Sequence, residues 1–301
     1  MLEGGGFKKL VSAPQQREAA KHLVETGRCS QRQACRIVGL WRSTANYQAR
    51  RAADEAELVE QLHRFAKRRR RRGYRLAHQE LRRSGRKVNH KRVYRLWKRE
   101  KLNVPPRKKR RRVRQNKEAA PRPLTATAPN TVWCLDFLQD NTLSGGKLRI
   151  LCVTDEFTRE SLAIEVGSSF RSERVCQVLE EVMNKRAVPS ALRMDNGPEF
   201  VALSLRGLCH RKGINPAYIE PGKPWQNGFA ESFHSRLRDE FLDGEVLHSV
   251  CHAQVRLDTW RRDWNEERLH SSLGYLTPND FAARWTYNLA NSEKTQAASG
   301  L

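Results

Sequence analysis

The chain has 301 residues, enough for two or three domains, and carries a formal net charge of +24. No apolar run approaches the roughly 18–20 residues of a membrane span, no signal peptide opens the chain, and the seven cysteines form no Cys-x-x-Cys pair. These features argue against a membrane protein, a disulfide-rich secreted protein and a zinc site, so we expect thiols packed in the core of a cytosolic protein. The cysteines with apolar neighbours are Cys134, Cys152, Cys176 and Cys209.

The positive charge belongs to the first part of the chain. Residues 1–122 contain 37 basic and 10 acidic side chains, a net +27, whereas residues 123–301 contain 20 basic and 23 acidic side chains, a net −3. This asymmetry predicts a polyanion-binding arm joined to a nearly neutral catalytic body. The alternative is a merely solvated basic surface, which the motifs below make less attractive.

Residues 1–53 predict an N-terminal helix-turn-helix. Residues 17–26 have helical spacing, Ser30 can cap a helix over 31–38, and Ser43 can cap a third helix. A third helix of this kind can enter a DNA major groove, although many small helical pairs bind nothing. The polar side chains that it would expose are Arg42, Thr44, Asn46 and Gln48.

Residues 54–104 predict a second, basic helix-turn-helix. An amphipathic helix over 54–72 precedes a pair of helices over 74–81 and 89–102, in which Trp97 has the spacing of a core residue. The polar face of the last helix is expected to meet phosphates or bases. It carries His90, Lys91, Arg92, Arg95 and Lys98.

Residues 105–129 predict an exposed linker. Pro105-Pro106 stops the preceding helix, and a basic run is followed by a stretch rich in Ala, Pro and Thr. The basic run includes Lys108 and Arg110, which either follow a DNA backbone or are only solvated.

From residue 130 the pattern predicts an α/β domain over 130–243. Three apolar, β-branched runs indicate an antiparallel meander, and helices and strands alternate after it. The predicted strands are 131–138, 148–154, 161–166, one ending at Met194, and 215–219; the predicted helices are 172–186, 199–212 and 226–242. Residues 244–301 predict a helical extension that is frayed after Tyr287.

Three carboxylates lie at positions that suit phosphoryl chemistry. Asp136 is inside an apolar strand, where a carboxylate is costly unless it is paired or metal-bound. Asp195 precedes the chain-breaking Asn196-Gly197 at the carboxyl end of a strand, and Glu231 follows after 35 intervening residues on a predicted helix. Clustered carboxylates repel, and two Mg²⁺ ions would remove that cost. Taken singly, Asp195 could be only a turn residue and Glu231 only a solvated helical residue.

Other polar residues near these carboxylates have open interpretations. Asp140 would share a strand face with Asp136, but Asn141 suggests that the strand has ended, and Asp155 is expected to be a turn or cap residue. Asn196 and Glu199 could support the ligands by hydrogen bonding, and Glu199 could equally be a helix-start acid. His270 is either a DNA contact or a packed structural histidine.

Several motifs resemble a known family. The motifs are Trp133-x-x-Asp136, Asp195-Asn196-Gly197-x-Glu199-Phe200, Lys223-Pro224-x-x-Asn227-x-x-x-Glu231, and the tail Trp264-Asn265-x-x-Arg268-x-His270 with its continuation to Pro278. They resemble the integrase core of retroviral integrases and DDE transposases, and in particular the second-frame (OrfB) transposases of the insertion sequence three family. The resemblance covers about residues 74–285. Unlike retroviral integrases, this chain has no N-terminal His/Cys zinc set.

The resemblance implies a ribonuclease H-like fold and a two-step reaction. A phosphodiester at the end of an insertion sequence is hydrolysed, and the freed 3′-OH then attacks a second phosphodiester. Asp136, Asp195 and Glu231 would hold two Mg²⁺ ions, for which Mn²⁺ can substitute. Lys223 would neutralise a phosphate, while Trp225 and Asn227 would position the DNA.

The resemblance also implies partners and a setting. These are double-stranded DNA, the upstream-frame (OrfA) protein or a fusion with it, a homo-oligomer on paired DNA ends, and a bacterial cytoplasm with nucleoid association. Two other functions remain open from the residues alone. A metal-dependent nuclease would use the same carboxylates without joining strands, and a helix-turn-helix regulator would need only residues 15–115.

Overall fold

The structure of the chain is a computed structural model that describes residues 12–46, 54–69, 71–103, 124–220 and 223–299. The chain divides into two compact units, residues 1–58 and 59–301. Within the described ranges, no helix combines the length and the apolar character needed to cross a bilayer.

The first unit contains three short helices, α1 (Ala13–Glu25), α2 (Gln31–Ile37) and α3 (Arg42–Ala45). Ser30 caps α2 as predicted, because its hydroxyl accepts from the Gln33 amide and its own amide donates to Gln33 Oε1 at 2.9 Å. The predicted cap at Ser43 is wrong: Trp41 precedes the helix and Ser43 lies inside it. Gln48 lies outside the described residues.

The helices α4 (Glu55–Arg68), α5 (Tyr74–Arg83) and α6 (His90–Arg99) follow. Trp97 is buried against Phe65, with ring centroids 6.1 Å apart in an edge-to-face arrangement, so its prediction as a core residue is confirmed. The outer face of α6 is polar as expected, since His90, Lys91, Arg95 and Lys98 are exposed and Arg92 is half-buried.

A five-stranded sheet forms the centre of the second unit. Its strands are β1 (Val132–Asn141), β2 (Lys147–Asp155), β3 (Ser161–Gly167), β4 (Ala191–Met194) and β5 (Asn215–Tyr218). They lie in the order β3-β2-β1-β4-β5; β1, β2 and β3 are antiparallel, and β4 and β5 run parallel to β1. The predicted meander is confirmed. The expected end of β1 before Asn141 is wrong, because the ladder with β2 continues to the Asn141–Lys147 pair.

Helices cover both faces of this sheet. One face carries α7 (Ser172–Lys185), α8 (Pro198–Val201) and α9 (Leu203–Lys212), and the other carries α10 (Gly228–Glu240) and α11 (Val250–Glu266). The predicted single helix over 199–212 is wrong, because extended backbone at Ala202 (φ −62°, ψ 150°) separates α8 from α9. The helix predicted to begin at Gln226 instead starts with a 3₁₀ turn, Pro224–Asn227.

The strand period decides which side chains meet which helices. In β1, Trp133 and Leu135 lie in the core under α7 and α9, whereas Leu138 lies in the core under α10 and α11. Side chains alternate along a strand, so Asp136 shares the face of Leu138 and points toward α10.

The C-terminal part continues the second core. Leu257, Trp260 and Trp264 of α11 pack with Ile164 of β3 in one cluster. Among the described residues, those after the predicted boundary at 243 therefore do not form a hydrophobic core of their own. The domain boundaries remain predictions. The predicted fraying after Tyr287 is wrong, since the last helix, α12, runs over Pro278–Ser299.

Candidate active site

The parallel pairing of β1 and β4 brings two of the predicted carboxylates together. Cys134 is paired with Arg193, and continuing this register by two residues brings Asp195 beside Asp136 on the same face of the sheet. Asp195 directly follows β4, and its Oδ1 accepts a hydrogen bond from the Gly197 amide at 3.0 Å. A Cβ atom at Gly197 would lie 3.0 Å from that same oxygen. The glycine therefore leaves room for the carboxylate.

Helix α10 brings the third carboxylate. Ala230, Phe233 and Leu237 bury one face of α10, while Glu231 lies on its exposed side. Burial raises the pKa of Asp136 to about 6, and the charges of Asp195 and Glu231 add to the rise. The three side chains therefore share one electrostatic neighbourhood.

Asn227 connects α10 to Asp136. Its Nδ2 donates to Asp136 Oδ2 at 3.2 Å, and its Oδ1 accepts from the Cys134 thiol at 2.9 Å. The side chain is buried, so the structure directs it to the carboxylate rather than to the surface where a DNA contact was predicted. His234 lies on the same helix, with Nδ1 3.5 Å from Asp136 Oδ2, and burial together with the charge of Arg238 lowers its pKa to about 4.

Comparisons with known proteins show the family of this chain. Two family models described as "Integrase core domain" match residues 126–224 and 212–278, and one described as "HTH-like domain" matches residues 50–110. The chain is 39% identical over 255 residues to the "Insertion element IS407 uncharacterized 31.7 kDa protein" of Burkholderia multivorans, covering 85% of this chain and 91% of that protein. It is 34% identical over 290 residues to the "Insertion element IS476 uncharacterized 39.2 kDa protein" of Xanthomonas euvesicatoria, covering 96% and 83%.

The chain belongs to the second-frame (OrfB) transposases of the insertion sequence three family. It is a DNA transposase with a DDE integrase core of the ribonuclease H-like fold, preceded by a helix-turn-helix region, and it binds DNA. "Transposase InsD for insertion element IS2A/D/F/H/I/K" of Escherichia coli is 27% identical, covering 64% of this chain and 66% of that protein.

The chain also aligns with solved structures at low sequence identity. The simian T-cell lymphotropic virus intasome aligns with a TM-score of 0.48 at 15% identity, covering 75% of this chain and 74% of that chain. The HTLV-2 integrase catalytic core domain in complex with magnesium aligns with a TM-score of 0.40 at 17% identity, covering 52% and 98%.

The donors of this transposase fit a divalent cation in chemistry. Carboxylate oxygens are the ligands that Mg²⁺ prefers, and a cation would offset the burial and the charges of Asp195 and Glu231, which together raise the pKa of Asp136. Among the described residues, however, no group of three or more His, Cys, Asp or Glu side chains is arranged to hold a metal ion.

The predicted supporting residues hold the loop after β4. Glu199 forms an ion pair with Arg149, whose guanidinium lies 4.2 Å from the centroid of the Phe137 ring. Asn196 Nδ2 donates to the Ile219 carbonyl at 2.8 Å. These contacts anchor the loop to β2 and to the residue that follows β5; the hydrogen bond found on Asp195 itself comes from Gly197.

The predicted DNA-binding residues are scattered over several elements. Arg42 and Asn46 are exposed and Thr44 is half-buried on and beside α3, and Lys91, Arg92 and Arg95 lie on α6. Lys223 forms an ion pair with Glu220. Lys108, Arg110 and the side chain of Trp225 lie outside the described residues.

Two further predictions near the site are resolved by burial. Asp155 is a capping residue as expected, since its carboxylate accepts from the amides of Asn130, Phe157 and Thr158 at 2.7–2.9 Å. His270 is the packed structural histidine of the two alternatives. It is buried with its ring centroid 4.5 Å from that of Trp264, and burial lowers its pKa to about 3.

Sequence reasoning missed two buried ion-pair groups. Arg193 is buried between the apolar residues of β4 and pairs with Glu156, whose pKa burial raises to about 7. Glu240 accepts from both Arg72 and Arg268, with Nε–Oε2 distances of 3.0 and 2.8 Å. The position of Arg193 inside an apolar strand could have indicated a buried ion pair. No such local pattern marks Arg72, because its partner Glu240 lies 168 positions away.

Proposed function

We propose that Asp136, Asp195 and Glu231 are the catalytic carboxylates of this transposase and hold two Mg²⁺ ions, with Mn²⁺ able to substitute. The observation that carries the proposal is the register of β1 against β4, which continues to Asp195 beside Asp136; the charges of Asp195 and Glu231 add to the rise that burial causes in the pKa of Asp136. When bound, the ions would neutralise phosphate charge and lower the pKa of a water molecule. Mg²⁺ suits such a site because it prefers hard oxygen ligands, which the carboxylates and the phosphates of the DNA both supply.

The reaction needs no covalent enzyme intermediate. In the first step a water oxygen bonds to the phosphorus at the end of the element, the bond from phosphorus to the 3′ oxygen breaks, and that oxygen leaves as a hydroxyl. In the second step this 3′ oxygen bonds to a phosphorus of the target DNA, and the target's own 3′ oxygen leaves with a proton. The task of the protein is to position the groups and to balance charge.

The surrounding residues would keep the carboxylates in place. Asn227 fixes one oxygen of Asp136, and the neutral imidazole of His234 beside it supplies no full positive charge to compete with a cation. Lys223 and Trp225 follow β5 and precede α10, a position from which they would meet the DNA phosphate and strand.

DNA recognition is assigned to the basic part of the chain. We infer contacts from Arg42, Thr44 and Asn46, from Lys91, Arg92 and Arg95, and from Lys108 and Arg110. The net +27 of residues 1–122 supports this, since phosphate neutralisation by Lys and Arg dominates DNA affinity. The active form is an oligomer on paired element ends, acting with the upstream-frame protein or fused to it in the bacterial cytoplasm on the nucleoid.

A nicking assay tests the proposal. Plasmid carrying the gene's own flanking DNA is incubated with Mg²⁺ or Mn²⁺ and the wild-type chain, Asp195→Asn or Glu231→Gln, with the upstream-frame protein present. We expect nicking and joined products from the wild type, and DNA binding without nicking from both variants. Equal nicking by all three proteins would refute the assignment, and nicking without joined products would indicate a nuclease.

A further inference from the structure

A cavity of about 650 Å³ opens beside α10. The residues that matter for its chemistry are Arg71, Arg75, Arg159, Phe229, Ser232 and Arg236. Ser232 of its lining directly follows Glu231 in the sequence, so the cavity and the proposed carboxylate site share helix α10.

The cavity has an excess of positive charge. Arg72 and Arg268 in its wall are paired with Glu240, and Arg193 is paired with Glu156. Two other arginines of the wall form no ion pair among the described residues: Arg75, which is exposed and donates to the Tyr74 hydroxyl, and Arg236, which is exposed. Arg71 forms an ion pair with Asp239 at 3.8 Å.

Arg159 is held in an unfavourable conformation at the wall of this cavity. Its φ is +64°, a region that residues with a Cβ seldom adopt, yet its amide donates to the Asp155 carbonyl and its carbonyl accepts from Trp264 Nε1 at 2.9 Å. Its Nη1 is buried and finds no hydrogen-bond acceptor within the described part of the chain. Backbone strain together with an unsatisfied buried donor is typical of a ligand site.

Phe229 completes a stacking platform. The Arg159 guanidinium lies 3.9 Å from the centroid of the Phe229 ring, and 39% of Phe229 remains exposed. Planar guanidinium groups and aromatic rings are the surfaces on which unpaired bases stack.

We propose that this cavity binds an unpaired DNA strand. Arg75 and Arg236 contact its phosphates, Arg159 supplies its free donor, and a base stacks on the Arg159–Phe229 pair. The volume suits a ligand of one or two nucleotides and is too small for a base-paired duplex. An acidic peptide would satisfy the arginines but would leave the stacking surface unused. The inference rests on the proposed function, because it concerns a strand of the DNA on which the proposed carboxylate site would act.

Photocrosslinking of the full chain tests the proposal. A single-stranded oligonucleotide containing 5-iododeoxyuridine is bound, irradiated and mapped by mass spectrometry, alongside a hairpin duplex of the same composition. We expect cross-linking to the peptide that contains Phe229 with the single strand, and at least about fivefold less with the hairpin. Equal cross-linking of the hairpin, or displacement of the oligonucleotide from this peptide by poly-glutamate at equal charge, would overturn it.

Three variants locate the effect. Arg159→Gly suits the positive φ and should fold with an unchanged thermal midpoint, while its cross-link yield falls at least about fivefold. Arg236→Gln should reduce the slope of log affinity against log salt for the single strand by roughly 0.7. The control Arg206→Gln changes an exposed arginine of α9, on the opposite face of the sheet, and should behave as wild type. Wild-type yields from Arg159→Gly would also overturn the proposal.

A carboxylate variant separates this proposal from the proposed function. Asp195→Asn should keep the cross-link to the Phe229 peptide while losing nicking. A cross-link without any wild-type nicking would leave the cavity assigned and refute the catalytic proposal. Nicking without the cross-link would refute only the cavity.

Discussion

Asn227 Nδ2 donates to Asp136 Oδ2 at 3.2 Å, which ties the beginning of α10 to the middle of β1. The other end of the same carboxamide accepts from the Cys134 thiol, two residues before Asp136 on the same strand face. Because Glu231 lies about one helical turn after Asn227, this contact also sets the position of Glu231 relative to Asp136. The four-residue spacing of Asn227 and Glu231 therefore positions Glu231 on α10 whether or not DNA is bound.

Replacing Asn227 should weaken metal use without weakening DNA binding. Asn227→Ala frees the Asp136 carboxylate, so we expect a roughly 10–100-fold loss in Mg²⁺ affinity or nicking rate. The measurement is nicking rate against Mg²⁺ concentration, with DNA affinity determined by fluorescence anisotropy. Ser235→Ala, an exposed change on the same helix, is the control. A variant with wild-type Mg²⁺ dependence would argue against the positioning role.

Adding a methyl group at Gly197 should disturb the site and leave the fold intact. In Gly197→Ala the new Cβ lies 3.0 Å from Asp195 Oδ1, so the carboxylate must shift, and we expect nicking to fall roughly 10–100-fold. The control is Gly207→Ala in α9, where a Cβ meets only the Arg211 side chain at 3.5 Å. That change should raise the free energy of unfolding by about 0.5–1 kcal/mol. Equal nicking by both variants would contradict the expectation.

Removing the charge of Glu240 should destabilise the second unit. Glu240→Gln leaves the buried guanidinium groups of Arg72 and Arg268 without their shared carboxylate, and we expect a loss of about 3–5 kcal/mol in unfolding free energy. Glu267→Gln is matched to it, because Glu267 pairs with Arg69 but is largely exposed. That variant should lose less than about 1 kcal/mol. Chemical denaturation of both proteins measures the difference; similar losses would mean that burial does not govern the contribution.

Glu156 should make stability depend on pH. Burial raises its pKa to about 7, so the folded state retains its proton to higher pH than the unfolded state does. Its contribution to stability is therefore full below the ordinary glutamate pKa and is lost as pH rises through about 7. Over the rise from about pH 5 to pH 8, the unfolding free energy of Glu156→Gln should therefore increase by roughly 2–3 kcal/mol relative to that of wild type.

Urea denaturation at both pH values measures this gain. Glu173→Gln, which changes an exposed residue of α7, is the control and should follow wild type at both pH values. A constant offset between Glu156→Gln and wild type would show that Glu156 has an ordinary pKa.

Local sequence signals predicted most of the fold. Apolar, β-branched runs marked the three antiparallel strands, and Ser30 with Gln33 marked the start of α2, because strand period and capping depend on residues close in the chain. Predictions from these signals were wrong where the local pattern was weak or where tertiary packing determined the structure. Ala202 interrupts a helix-like pattern between α8 and α9, and α12 continues through a polar stretch.

The sequence by itself determined the fold class, the asymmetric charge and the three candidate carboxylates, because each depends on residue type and spacing along the chain. Only the tertiary structure decided that Asn227 faces Asp136, that Arg72 is neutralised by Glu240, and that Arg159 is left with a free donor at a cavity. Each of these pairings joins elements distant in sequence. Sheet register and helix packing select such partners, and no local pattern encodes which of many charged residues will meet.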